Sequence, residues 1–280
     1  MRIKFYLICT FLCVICLTKV QSQNRLDSAK LYEDKQYFIN ASVVYERILF
    51  EPSSQNEVDV AIINKIEFFK KQHLFIEASH FIKLNLHQIT NDSLKYKVYE
   101  QWILCNYLVS HFEEGISLIE QAKIYFPNNV NVNWLNFFKI LFLNEQNNWN
   151  EARIAYKEWL LKKNSDTTSL IIYNNIPHLK SENKAKWLAT LLPGSGMLYA
   201  NNFPEAVASV LLQGLGLYYG YISFTSKYYL STWLVGLGVY GSFYMGGVRR
   251  SETLVKNYNK KLSSQFNDKL KKELLEQFQK

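Results

Sequence analysis

The chain has 280 residues, room for one large or two ordinary domains with a sizeable core. Hydrophobic residues make up 48% of it, which excludes a disordered chain, and scarce Gly and Pro favour helices. Of the net charge of +8, residues 1–22 carry three units and residues 249–280 carry five, so the stretch between them is neutral. Basicity confined to two ends excludes a nucleic-acid-binding face, and no nucleic acid is expected as a partner.

Residues 1–22 read as a signal peptide. Arg2 and Lys4 form a basic start, an apolar run of thirteen residues covers 5–17, and Val20-Gln21-Ser22 offers a cleavage site after Ser22. The alternative is an uncleaved anchor, although the run falls short of the ~20 residues of a full span. Either way the remainder is exported. Cys9, Cys13 and Cys16 lie within the signal, each preceded by Ile or Leu, against a lipoprotein signal. Cys105 alone remains in the mature chain, so no internal disulfide forms. It sits in an apolar helical run and reads as a buried thiol.

Residues 23–164 repeat with a period of 37. Ala41, Ala78, Gly115 and Ala152 form a small-residue column. Three positions earlier stand Phe38, Phe75, Phe112 and Trp149; four later, Tyr45, Ile82, Ile119 and Tyr156; twelve earlier, Ala29, Ile66, Ile103 and Ile140. Each unit predicts two helices joined by a polar turn such as Asn147-Asn148. In the second helix, aromatic, small and apolar residues at i, i+3 and i+7 share a face, and the small one lets two backbones approach. Pro52 and Pro127 close units one and three. These columns are expected to be core.

This pattern resembles the tetratricopeptide repeat family over about residues 25–163. The small residue, the Tyr or aliphatic four later and a following proline match its second helix. The period of 37 exceeds that family's 34, and the Trp and Leu-Gly of its first helix are absent, so the units are divergent. The resemblance implies an α-solenoid whose concave face holds a peptide or partner helix. First helices line that face in this repeat class, which makes Tyr32, Tyr37, Tyr99 and Trp102 the candidate partner-binding anchors, with core filling as their alternative role.

Residues 165–203 predict a linker and an interfacial helix, broken at Pro193-Gly194-Ser195-Gly196. Within 204–248, the run 206–224 has Gln213 as its one strongly polar residue, and 228–248 has no charge, with Thr225-Ser226-Lys227 between them. Two runs of this length predict a transmembrane helical hairpin. Glycines at 214, 216, 220, 236, 238, 241, 246 and 247 would weaken a soluble helix but permit close packing in lipid. Paired tyrosines at 218/219 and 228/229 suit an interfacial belt or the hairpin seam. A pair of buried helices in a soluble domain is the competing reading.

The stretch Pro193-Gly194-Ser195-Gly196-Met197-Leu198-Tyr199 looks like the Pro-Gly-x-Gly-x-x-Tyr-x-Gly motif of a family of small two-span membrane domains, over about residues 186–250. Asn201 stands where that motif ends in glycine. The resemblance implies a membrane-interface motif at Pro193, Gly194, Gly196 and Tyr199, and supplies no reaction. Such modules follow tetratricopeptide-like regions in bacterial envelope proteins. Export places the repeats in the periplasm, although Lys184, Lys186, Arg249 and Arg250 outnumber Lys227 against the positive-inside tendency.

Residues 249–280 predict a basic amphipathic tail helix, with Leu254, Tyr258, Leu262, Phe266, Leu270, Leu274 and Phe278 recurring every four residues. It rests on an anionic bilayer or packs on the repeats as a cap.

Chemistry is scarce. Ser195 lacks the glycine two before it that a nucleophile elbow needs, and no phosphate loop exists. His73, Glu77, His80 and His87 share helical spacing, but the repeat register turns them toward solvent, so no metal is expected. Glu113-Glu114 and Glu33-Asp34 read as solvated helix surface. The sequence therefore predicts an all-α protein without cofactor or catalysis: a bacterial inner-membrane scaffold that docks other envelope proteins or peptides and touches the bilayer through its hairpin. In the alternative, the glycine-rich hairpin is itself the working part of a transport or lipid-handling component.

Overall fold

A computed structural model describes residues 25–127 and 131–279, and the stretch read as a signal peptide, residues 1–22, lies outside them. The described residues form helices joined by turns and short irregular stretches, with no strand among them. They form two compact units that divide at Ser165 and Asp166.

The first unit holds α1 (25–34), α2 (Phe38–Phe50), α3 (Gln55–Lys71), α4 (Phe75–Asn85), α5 (Asp92–Leu108), α6 (Phe112–Tyr125), α7 (Val132–Glu145) and α8 (Trp149–Lys162). From α2 onward each helix packs on the next in sequence. Their starts are locally encoded. Ser54 accepts from the Glu57 amide, whose carboxylate accepts from the Ser53 amide at 2.7 Å, a near relative of the capping box. Asn91 and Asn131 cap α5 and α7 in the same sense.

The columns of period 37 are the core. Ala41, Ala78 and Ala152 are fully buried, as are Tyr45, Ile82, Ile119 and Tyr156, and Ala29, Ile66, Ile103 and Ile140 lie beside them. Gly115 is required where it stands: a Cβ there would sit 2.6 Å from Phe142 Cε1. The aromatic column is less uniform, with Trp149 buried and Phe38 exposed.

The backbone repeats as faithfully as the side chains. Gln36, His73, Ser110 and Asn147 all take positive φ, between 59° and 63°. At each, the following amide donates to the carbonyl five residues back, as Tyr37 does to Tyr32, Leu74 to Phe69, His111 to Asn106 and Asn148 to Leu143. This is the Schellman turn, which satisfies the last carbonyls of a helix and reverses the chain. Here it is built four times without glycine. His73 therefore belongs to a turn, and the helical face expected to align it with His80 and His87 does not form; His87 lies in a separate 3₁₀ turn, Leu86–Gln88.

The second unit opens with a 3₁₀ stretch, Thr168–Asn175, then α9 (Glu182–Leu191), α10 (Ser195–Tyr199) and α11 (Phe203–Thr225). The final helix, α12, starts at Tyr229–Ser231, passes through π-helical turns at Thr232–Leu237 and continues as Gly238–Gln279. The second apolar run and the basic tail are thus one helix, and Arg249-Arg250 do not interrupt it. Non-glycine Schellman turns recur at Asn201 and Lys227. Asn201 meets the backbone demand that the motif's missing glycine would have met, because Asn tolerates the left-handed region.

Candidate functional site

The residues Pro193, Gly194, Gly196 and Tyr199 meet at the junction of α9, α10, α11 and α12. Gly194 has φ of 77°, and a Cβ on it would lie 2.6 Å from the Ala206 carbonyl oxygen. A Cβ on Gly196 would lie 2.6 Å from Ser251 Oγ. Both positions therefore exclude a side chain, one for conformation and contact, the other for contact alone. The Ser195 hydroxyl donates at 2.7 Å to the Leu192 carbonyl, closing the end of α9 instead of facing a substrate. The Tyr199 hydroxyl accepts from the Ser181 amide at 3.2 Å.

Lys180 binds this junction together. Its ammonium donates to the Tyr199 carbonyl at 2.7 Å and lies 4.1 Å from the centre of the Tyr258 ring. Its backbone exchanges two 2.8 Å hydrogen bonds with the Asn259 amide. Beside it, Glu252 accepts from Lys186 at 2.9 Å and from Lys256 at 3.0 Å. Those two cations hold its carboxyl below the usual range. Arg250 grips Glu205 through two bonds of 2.6 and 2.7 Å, a bidentate pair between α12 and the start of α11.

Away from this charged end, α11 and α12 run antiparallel. Gly247 lies against Ser209, Gly216 against Tyr240, and Gly220 against Gly236. The inward side of α11 is Ala206, Ser209, Gln213, Gly216, Gly220 and Ser223, alternating by three and four. Its outward side carries Val210, Leu211, Leu215, Tyr218, Tyr221, Ile222 and Phe224, all exposed. This is the reverse of a helix on a soluble core, which turns its apolar stripe inward. Helix α11 is long and apolar enough to cross a membrane, and 28% of its apolar stretch is buried. Gln213 is 2% exposed; its amide donates to Ser209 Oγ at 2.9 Å and its own carbonyl oxygen has no partner among the described residues.

The four aromatic anchors are not brought to one surface. Tyr37 is 58% exposed at the start of α2, and Tyr32 is half-buried against the cluster around Ala41 and Phe68. Tyr99 and Trp102, expected on an exposed face, are 5% and 8% exposed. The Trp102 indole donates to Ser79 Oγ at 2.9 Å, and Tyr99 packs edge-on against Phe126. Both rings follow the apolar side of α5 into the interior. Tyr99 nevertheless reaches the wall of a cavity of about 460 Å³, with Lys83, His87, Lys95, Tyr125 and Phe126. Burial pushes the Cys105 thiol up to about 11, despite Lys70 nearby, so it is unreactive at neutral pH. Comparison with protein-family models, curated proteins and solved structures finds no match for the chain.

Proposed function

We propose that this protein is a membrane-anchored scaffold of the bacterial envelope. A tetratricopeptide-like solenoid binds other envelope proteins or peptides, a transmembrane hairpin holds it in the inner membrane, and it catalyses no reaction. The observation that carries the reading is the inverted pattern of α11, with small and polar residues inward and large apolar residues outward. In water such a surface is costly, because each of these side chains gives up roughly 1.5–3 kcal/mol of burial. In lipid the cost vanishes, and small residues at a helix contact are what membrane packing selects.

The bidentate Arg250–Glu205 pair and the Lys186–Glu252–Lys256 cluster sit at one end of the pair, where headgroups and water would solvate them. Tyr218, Tyr219, Tyr228, Tyr229 and Trp233 surround the opposite, turn end and suit the second interface. Support for the solenoid comes from the four buried columns and the four equivalent turns. Placement of the repeats in the periplasm follows from the signal-like residues 1–22.

The test is carbonate extraction of membranes from cells making the full chain, combined with crosslinking in intact cells. The reading expects the chain to stay in the pellet and to crosslink reproducibly through residues 25–162. Release into the supernatant removes the membrane anchor. Crosslinks confined to the hairpin would favour the second reading, a transport or lipid-handling hairpin, which the unpaired Gln213 carbonyl in the seam supports.

A further inference from the structure

Helix α9 has two opposed faces. Ala185 and Ala189 are buried, with Ala185 packed on Val255 of α12. On the other side Trp187 and Leu191, one turn apart, are 69% and 72% exposed, and Leu192 just beyond them is 66% exposed. Leu198 and Phe203, on the way into α11, are exposed as well.

Contacts with α12 fix how far this segment descends. Lys186 pairs with Glu252, and the Tyr244 hydroxyl donates to the Thr190 carbonyl at 3.1 Å. Helix α9 therefore runs antiparallel to α12, and its end lies beside Tyr244, six residues from Arg250 on the side of the turn at Thr225-Ser226-Lys227. Six helical residues span about 9 Å, less than half of the ~30 Å hydrocarbon core, so the segment reaches into one leaflet only. The chain then reverses at Pro193-Gly194, where a Cβ on Gly194 would meet Ala206 and Val210 near the start of α11. It returns through α10 to Tyr199, whose carbonyl accepts from Lys180 beside Asn259. Entry and exit thus lie on the same side as the charged cluster.

Backbone at that depth needs internal partners, because lipid offers none. The Leu192 carbonyl accepts from the Ser195 amide at 3.2 Å and from its hydroxyl at 2.7 Å. The Thr190 carbonyl is held by Tyr244, and the Thr190 hydroxyl donates to the Lys186 carbonyl at 2.8 Å. The embedded cross-section is unequal as a result. At the charged end α9 and α10 pack beside α11 and α12. Toward the turn, the close contacts are Gly216 with Tyr240 and Gly220 with Gly236, between α11 and α12 themselves.

We propose that residues 187–203 form a re-entrant wedge in one leaflet, which directs the protein to membrane whose leaflet on that side is convex. The apolar face of Trp187, Leu191 and Leu192 continues the lipid-facing side of α11 past the charged pairs. A body broader in one leaflet fits where bending spreads the lipids of that leaflet apart, as amphipathic packing sensors do. The wedge rests on the hairpin being in the bilayer, and adds to it a preference for curvature.

The experiment uses the full chain with a C-terminal peptide tag, reconstituted into giant vesicles of dioleoylphosphatidylcholine from which membrane tubes are drawn outward. A fluorescent nanobody against the tag, added outside, reports the molecules whose charged end faces out, because the tag follows α12 past Arg250. Its density relative to a lipid dye is compared between tube and vesicle. The expected result is enrichment on the tube that grows as the tube narrows and is lost in L191S/L192S. Both leucines are exposed, so that variant removes no internal packing. An even distribution of the unaltered chain, or equal enrichment of the chain and L191S/L192S, would overturn the wedge while leaving the anchor in place. Absence of the chain from the vesicle membrane before any tube is drawn would overturn the anchor, and the wedge with it.

Discussion

Gly220 and Gly236 touch backbone to backbone: a Cβ placed on Gly236 would stand 2.5 Å from the Gly220 Cα, whereas one on Gly220 would stand 3.4 Å from the Gly236 Cα. The contact is asymmetric because Gly236 lies in the π-helical turns of α12, which aim its missing Cβ into α11. G236A should therefore separate the two helices and lower stability by about 1–3 kcal/mol, the usual cost of overpacking. G220A should cost less, and G214A, with open space around it, should cost nothing measurable. Detergent-denaturation midpoints of the three variants would check this ranking.

Gly115 supports the same kind of argument in the first unit. An alanine there meets the Phe142 ring, a fully buried neighbour with no room to turn. G115A should destabilise the chain by about 1–3 kcal/mol, and the double variant G115A/F142L should recover part of that. Thermal unfolding followed by circular dichroism is the measurement. Additive losses would show that the two positions are not coupled.

Seven turns among the described residues hold non-glycine residues in the left-handed region, at a cost of about 1–2 kcal/mol each. Of these, His73 is exposed and its side chain makes one edge contact, with Phe75 at 5.8 Å. H73G should raise stability by up to about 1 kcal/mol, after the entropy lost by glycine is subtracted. A lowered melting temperature would mean that the His73–Phe75 contact outweighs the backbone strain.

Alkaline pH should weaken the first unit through Tyr96. Burial, opposed by the Asn131 amide that donates to its oxygen at 3.0 Å, pushes its hydroxyl from 10.0 up to about 12. The folded state thus holds this proton more tightly than the unfolded chain. The stabilisation is complete below about pH 10 and is lost as pH rises through 12. Burial shifts Tyr99 and Tyr45 in the same direction. Chemical denaturation between pH 9 and 12 (the window these values define, roughly) should show stability falling with pH, less steeply in Y96F.

Much of this was legible in the sequence, and the failures have physical causes. The columns through Ala41, Tyr45 and Ile66 could be read because burial at a helical period leaves a composition signature. The turns at Gln36, His73 and Ser110 could not, because their usual marker is glycine and these residues meet the backbone demand without it. Tyr99 and Trp102 were misplaced outward because a helix with aromatics on two sides does not disclose which side its neighbours cover. The tail was separated from α12 at Arg249-Arg250, yet basic residues do not end a helix, and Ser251, Val255 and Asn259 carry the packing face straight on.

The central claim is that the outer face of α11 lies in lipid. Spin labels on cysteines introduced at Leu211, Leu215 and Ile222, in liposomes, test it most directly, since the native Cys105 is buried and inert to labelling. The account expects these three sites to be accessible to molecular oxygen and shielded from a water-soluble nickel chelate, with Lys227 showing the opposite. Ready access of the nickel chelate to Leu211, Leu215 and Ile222 would place that face in water and contradict the account.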